Sequence, residues 1–458
     1  MISKSIQSCR EAIYRDLQQC RRGTFKLFTD IDYDTFCRQA HPDFSPVGWH
    51  LGHIAYTEDL WLLQRCAGLE PVFPKYHQLF AADILPKKQR VFLPTLPEVE
   101  LYLDAVRKKV LDYLEVAPID EQERLWRFII QHESQHCETV AFVLQMHRKK
   151  EEGRGNKQEG RGKKEEGRGK KEEGRRKREE GRGKKEEGRG NEEGRLISNY
   201  RLPIADYQLE ITDSQAIEIP GGEFYMGSDA AEALDNERSR HLSYLEAYSI
   251  DRYPVTCRQY RDFMESGGYQ NPDWWSADGW KWLQGEAVSQ PLYWSENPAF
   301  NNHPVCGVSW YEAEAYCNFI GKRLPSEAEW EKAATWDATN QTYRIYPWGE
   351  EPPNGSLCNH GNNIANTSPV DAFPKGASAA GCCDMLGNVW EWTASTFDAY
   401  PGFESYPYRG YSQVYFDGEH RVLKGGSWAT FPQALRSTFR NWYYPGVRQI
   451  IAGFRCAK

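Results

Sequence analysis

At 458 residues the chain outgrows a single hydrophobic core, so two domains are expected, each long enough to bury an interior of its own. No run of about 18 apolar residues occurs, which excludes a membrane-spanning helix, and MISKSIQSCREAIYRDLQQC carries polar residues where an export signal has its apolar stretch, so a cytoplasmic location is expected. With a formal net charge of −8 the protein is acidic, which argues against nucleic-acid binding as its main work.

Four segments of the first 148 residues repeat apolar positions every three or four residues: SIQSCREAIYRDLQQC, GWHLGHIAYTEDLWLLQRCAG, LPEVELYLDAVRKKVLDYLEV and IDEQERLWRFIIQHESQHCETVAFVLQMHRKK. Pro and Gly punctuate the joins, and the pattern predicts an up-and-down four-helix bundle over residues 1–148. Residues 149–195 then repeat a GRGKKEE-like unit with a seven-residue period. A heptad with no apolar residue cannot form a coiled-coil seam, so this is read as a low-complexity, flexible, charged insert. It holds 19 Lys and Arg against 13 Glu, a net +6, and taking this from the total of −8 leaves about −14 on the rest of the chain. From 196 to 458 the texture changes to short strand-like runs, Gly and Pro turns and most of the 16 Trp, with helices such as WYEAEAYCNFIGK and PSEAEWEKAATW, which predicts a mixed α+β domain with much irregular structure. Twelve cysteines with no CxxC pair and no regular framework read as reduced, mostly buried thiols.

The chemistry-bearing pattern lies in the bundle. His132 and His136 in HESQH are four apart, so a helix projects them side by side from one face, where they can grip one ion. His53, in LGHIAYTEDLW on another predicted helix, is a third candidate, with His50 and His41 as competitors for that place. Three histidines would leave about half of an octahedral shell open for substrates. Neutral imidazoles suit Zn, Fe, Ni or Cu, so the ligand type alone leaves the metal open: zinc would imply hydrolysis or thiol activation, iron(II) oxygen chemistry.

LGHI with HESQH resembles the three-histidine metal site of the DinB-like four-helix family. The second half, from IPGGEFYMGS through GVSWYEAEAYCNFIGKRLPSEAEWEKAA, MLGNVWEWT and RVLKGGSWAT to AGFRC, resembles the formylglycine-generating, sulfatase-modifying-factor family, which has a C-type-lectin-like fold. That family carries two cysteines shortly after GGSW, where this chain has Thr430 and Leu435, so formylglycine chemistry is not expected. The two domains in this order look like the non-haem iron sulfoxide synthases of ergothioneine biosynthesis. The resemblance implies that His53, His132 and His136 hold iron(II), that dioxygen is a co-substrate, and that a thiol is joined to the imidazole C2 carbon of Nα-trimethylhistidine (hercynine) as a sulfoxide. It places Gln135 on the substrate imidazole, and Asn441 and Trp442 on the carboxylate and trimethylammonium, where an aromatic face suits a quaternary cation. A family tyrosine supplies a proton or electron; of Tyr400, Tyr406, Tyr408, Tyr411 and Tyr415, Tyr408 is chosen on its YRGY spacing.

Relatives that use γ-glutamylcysteine hold its carboxylates with two arginines near an RVxLP segment and place an acidic residue after the Asn-Trp pair. This chain has PKKQRVFLP, with Arg90 kept and Lys87 in place of an Arg, and Tyr443 follows Trp442. Lys lacks the bidentate fork of Arg, so cysteine stands beside γ-glutamylcysteine as the expected donor. A selenosugar donor giving a selenoneine precursor, a zinc-dependent DinB-like thiol transferase, and a lectin-like binding protein are the alternatives. The expected partners are these small molecules and, on separate chains, a methyltransferase and a C-S lyase that complete the pathway.

Overall fold

Helix α1 (Lys4–Lys26) sets Ile13, Leu17 and Cys20 on one stripe, and all three are fully buried. Asp32 caps the short α2 (Tyr33–Cys37), its carboxylate accepting from the Thr35 amide at 2.7 Å. Helix α3 (Val47–Glu58) starts after Pro46 and runs on as a π-helical stretch, Asp59–Cys66, a widening that re-aims the side chains beyond it. After α4 (His77–Phe80), helix α5 (Leu96–Leu114) opens on Thr95, whose backbone N–H and hydroxyl both donate to Glu98 at 2.8 Å, and it buries Val99, Leu103, Val106 and Val110. Helix α6 (Ile119–Glu180) closes the bundle against α1 and α3. This computed structural model describes the backbone of residues 4–180 and 216–458, and the side chains of 6–151 and 216–458. Residues 181–195 of the expected insert and 196–215 of the expected second domain lie outside the described residues.

Over the first part of that insert, the backbone of 149–180 continues α6 without a break. Glu, Lys and Arg favour this continuation and the glycines of each unit oppose it, so it rests on a helix already nucleated over residues 119–148, to which each further residue adds without a new nucleus.

A buried charge network ties the four long helices together. Arg21 of α1 donates to Glu58 of α3 (2.8 Å) and to Glu133 of α6 (2.8 Å), and Arg107 of α5 donates to the same two carboxylates at 2.6 and 2.8 Å. With both acids paired, the arginines hold Glu133 down to about 2 despite its burial.

In the second domain, strands β1 (Ala216–Ile219) and β4 (Tyr248–Asp251) pair antiparallel, as do β2 (Gly222–Met226) with β3 (His241–Leu245) and β5 (Trp336–Asp337) with β6 (Thr342–Tyr343). The central sheet has the order β10-β7-β8-β9, with β7 (Trp390–Thr396), β8 (Arg421–Lys424), β9 (Asn441–Tyr443) and β10 (Ala452–Gly453); β10 runs parallel to β7 and the other pairs are antiparallel. Helices α7 (Cys257–Glu265), α8 (Ala277–Glu286), α9 (Trp310–Phe319) and α10 (Glu327–Thr335) surround it, and serine or threonine caps start all four. So little regular structure is held by buried ion pairs between distant segments: Arg455 with Glu391, Arg440 with Glu327, and Lys424 with Glu331. Among the described residues no helix is long and apolar enough to cross a membrane.

Candidate metal centre

The ligand atoms of His53, His132 and His136 lie within 4.8 Å of one another, His53 arriving from α3 and the other two from one turn of α6. His53 and His132 are buried and His136 is half-buried. Burial disfavours the imidazolium, lowering His53 to about 4 and the other two well below the ordinary histidine value, so all three offer neutral rings. The Nδ1 of His53 donates to the Phe80 carbonyl at 2.6 Å, which leaves its Nε2 as the ligating nitrogen. Trp49 stacks on His53 at 4.6 Å, nearly parallel, and fixes the ring plane. These donors fit a divalent transition metal: three neutral imidazoles, one with its outer nitrogen anchored, in a pocket too dry to protonate them. His50, a competitor for the third place, lies outside this convergent set, with its Nδ1 2.8 Å from Nδ1 of His136. His41 instead faces Asp43 and Gln449.

The second domain walls the centre. Gln135, one residue before His136, donates from Nε2 to the Tyr411 hydroxyl at 2.8 Å. Tyr411 is buried, with Phe128 (4.9 Å) and Trp442 (6.0 Å) against it edge to face. Trp442 lies flat on Phe397, centroids 4.2 Å apart and 7° from parallel, and takes its place on β9 opposite Val422. The Asn441 carboxamide oxygen accepts from the Trp442 amide at 2.9 Å; among the described residues its Nδ2 has no partner. Tyr443 is half-buried, and burial raises its hydroxyl.

Of the five candidate tyrosines, Tyr400 is committed to Glu327 in the interior of the second domain and Tyr406 lies under Arg124 at 3.9 Å. Tyr415 packs on Trp442 and His420. Tyr408 is 42 % exposed and stacked on Trp61, with Tyr411 6.4 Å away, so Tyr411 rather than Tyr408 carries the hydrogen bond to Gln135. Every guanidinium nitrogen of Arg90 already donates, to Leu85 O (2.9 Å), Ser45 Oγ (3.1 Å) and Ala82 O (2.5 Å), and the group stacks on Trp49 at 4.0 Å. Lys87 donates to Asp43 O. The structure thus uses Arg90 to brace the tryptophan behind His53 and does not present it as an open carboxylate clamp.

Sequence reasoning overlooked Glu138. Its buried carboxylate on α6 accepts from Ser427 Oγ (2.5 Å), Thr430 Oγ1 (2.5 Å) and Trp390 Nε1 (2.8 Å), all of the second domain. Thr430 therefore anchors the helix that carries His132 and His136. The available signal was an acid inside the apolar stretch that follows HESQH.

Residues 205–458 match the sulfatase-modifying factor enzyme 1-like domain and residues 16–140 the DinB superfamily. The chain is 34% identical to the hercynine oxygenase of Mycolicibacterium smegmatis, covering 98% of this chain and 99% of that one, and 36% identical to that of Mycobacterium tuberculosis, covering 96% and 97%. The second domain alone is 32% identical to the inactive C-alpha-formylglycine-generating enzyme 2 of Mus musculus, over 54% of this chain and 86% of that one. A DinB-type helical domain is followed by a C-type-lectin-like domain of the formylglycine-generating type, the order expected from the sequence.

Proposed function

The chain belongs to the hercynine oxygenase family, and from that premise we propose that it is an iron(II)- and dioxygen-dependent sulfoxide synthase acting on Nα-trimethylhistidine. The observation that carries the reading is the meeting of two half-sites: three metal-ligand histidines from the first domain, and an aromatic wall from the second joined to them through Gln135 and Tyr411. The overall reaction balances as loss of one imidazole C–H and one S–H to dioxygen, forming C–S and S–O bonds and one water.

His53, His132 and His136 would hold the iron, which when bound supplies adjoining positions and redox chemistry for imidazole, thiol and dioxygen. Gln135 is suited to orient the substrate imidazole, because its own amide is fixed by Tyr411. Trp442, held rigid on Phe397, offers a face to the trimethylammonium, and the unpartnered Asn441 Nδ2 offers a donor to the carboxylate. Tyr408 is assigned as the proton donor. Although the side chain is 42 % exposed, partial desolvation pushes its hydroxyl up to about 12, so it holds its proton at neutral pH, with its ring stacked on Trp61 and Tyr411 edge to face at 6.4 Å. With Arg90 occupied by Ser45 and backbone carbonyls and Lys87 turned to Asp43, cysteine is favoured over γ-glutamylcysteine as the donor.

Anaerobic purification, reconstitution with iron(II), and mass spectrometry after addition of Nα-trimethylhistidine with cysteine, γ-glutamylcysteine or a selenosugar tests the reading. Oxygen uptake and a sulfoxide with cysteine are expected; no uptake with any donor would sink it. Tyr408→Phe should divert product toward the sulfinic acid of the thiol, and Tyr411→Phe should raise the KM for Nα-trimethylhistidine. The reverse pattern would move the proton-donor role to Tyr411.

A further inference from the structure

His50 is buried one helical turn before His53, yet its ring nitrogens are not among the convergent ligand atoms. Its Nδ1 lies 2.8 Å from Nδ1 of His136. Two imidazole nitrogens at that distance share one proton, so one ring donates and the other accepts. At His53 the choice is forced, since the Phe80 oxygen can only accept. At His136 it depends on the partner ring. Were His50 the donor, neutral His136 would have its proton on Nε2 and its Nδ1 lone pair engaged, with nothing left for a metal. With His50 as acceptor, His136 carries its proton on Nδ1 and presents a bare Nε2.

We propose that His50 is the acceptor that holds His136 in its Nδ1–H form, a positioning residue that acts on the metal centre through His136 alone. The ring is suited to the task because Trp49 meets it edge to face at 5.4 Å and fixes its orientation. The assignment puts the His50 proton on Nε2, which is buried without a hydrogen-bond partner among the described residues. The arrangement is that of a metal-bound histidine whose outer N–H is captured by a neighbouring acceptor, with an imidazole in the place more often taken by a carboxylate or carbonyl.

The test rests on side-chain geometry. Asparagine sets its amide oxygen where histidine has Nδ1, whereas the amide of glutamine reaches the place of Nε2. The apo full-length protein is titrated with cobalt(II) against a competing chelator, and the visible absorption of the bound ion is recorded. His50→Asn should bind within about threefold of wild type with an unchanged spectrum, while His50→Gln should bind about 10–100-fold more weakly with a shifted spectrum. His50→Ala, which removes the acceptor without adding bulk, should match glutamine and serves in its place if that variant fails to fold. Wild-type affinity in the glutamine and alanine variants, or an equal loss in all three, overturns the assignment. The inference rests on the metal centre proposed above; a wild-type chain that takes up no cobalt would overturn that centre itself, an outcome distinct from equal behaviour of the variants.

Discussion

Asp384 lies buried beside Asn388, whose Nδ2 donates to it at 2.9 Å, and burial pushes its carboxyl up to about 7. The folded chain holds this proton more tightly than the unfolded one, so the stabilisation is complete below about pH 4 and is lost as the pH rises through about 7. Asp384→Asn keeps a neutral side chain, and its urea midpoint should exceed wild type by more near pH 8 than near pH 5; equal differences at the two pH values would contradict the assignment. At the metal centre, His132→Ala should abolish cobalt uptake while tryptophan fluorescence of the second domain is retained. A variant that binds the ion at wild-type strength would exclude His132 as a ligand. His132 and His136 were legible as a pair because a four-residue spacing means one helical turn wherever the helix lies, whereas only the resemblance of LGHI singles out His53 over His50 and His41. The tyrosines were not legible. Their segment runs through irregular backbone set by distant contacts, including the Ser412 hydroxyl on Asp235 and the Tyr406 amide on the same carboxylate, and no local pattern encodes those.

Helix α6 departs from the amphipathic pattern because it has no solvent face where it matters. Leu125, Trp126, Phe128, Ile129, Ile130, Cys137, Val140, Phe142 and Val143 are all buried, since the bundle covers one side and the second domain the other. Its two flanks are fixed by opposite means, Glu133 in the charge network of the bundle and Glu138 on the hydroxyls and indole of the second domain. Glu138→Ala would leave the Ser427, Thr430 and Trp390 donors without their acceptor, a cost of about 2–4 kcal/mol on the scale of buried unsatisfied groups, read as a lowered urea midpoint. Arg107→Met should cost about 3–5 kcal/mol, because it leaves Glu58 and Glu133 sharing the single charge of Arg21. Losses below about 1 kcal/mol in either variant would show that the helix is held by its apolar contacts alone. The bundle helices were readable from periodicity, whereas the strands of two to seven residues carried too few positions for a period to emerge.

One apolar cluster runs through both domains, from Ile13 and Val106 in the bundle to Trp428, Phe431 and Phe439 in the second domain. Neither half is therefore a finished surface by itself. Residues 1–148 expressed alone should bind a hydrophobic dye and precipitate, and co-expression with 196–458 should restore solubility; a soluble, dye-silent fragment would refute this shared interior. The two-domain order was legible from a change in texture along the chain. The mutual dependence of the domains was not, because it arises from residues such as Glu138 and Thr430 that are 292 positions apart.

The uninterrupted course of α6 from the candidate ligands His132 and His136 into the seven-residue repeat has a consequence for how the length of this chain can vary. Seven residues make nearly two full turns, so each unit gained or lost turns the outgoing helix by only about 20° and moves its end by about 10 Å. The number of units can then change while the rotation of the end that carries His132 and His136, clamped on both flanks, stays as it is. The repeat is a stretch whose length can change without turning the two histidines.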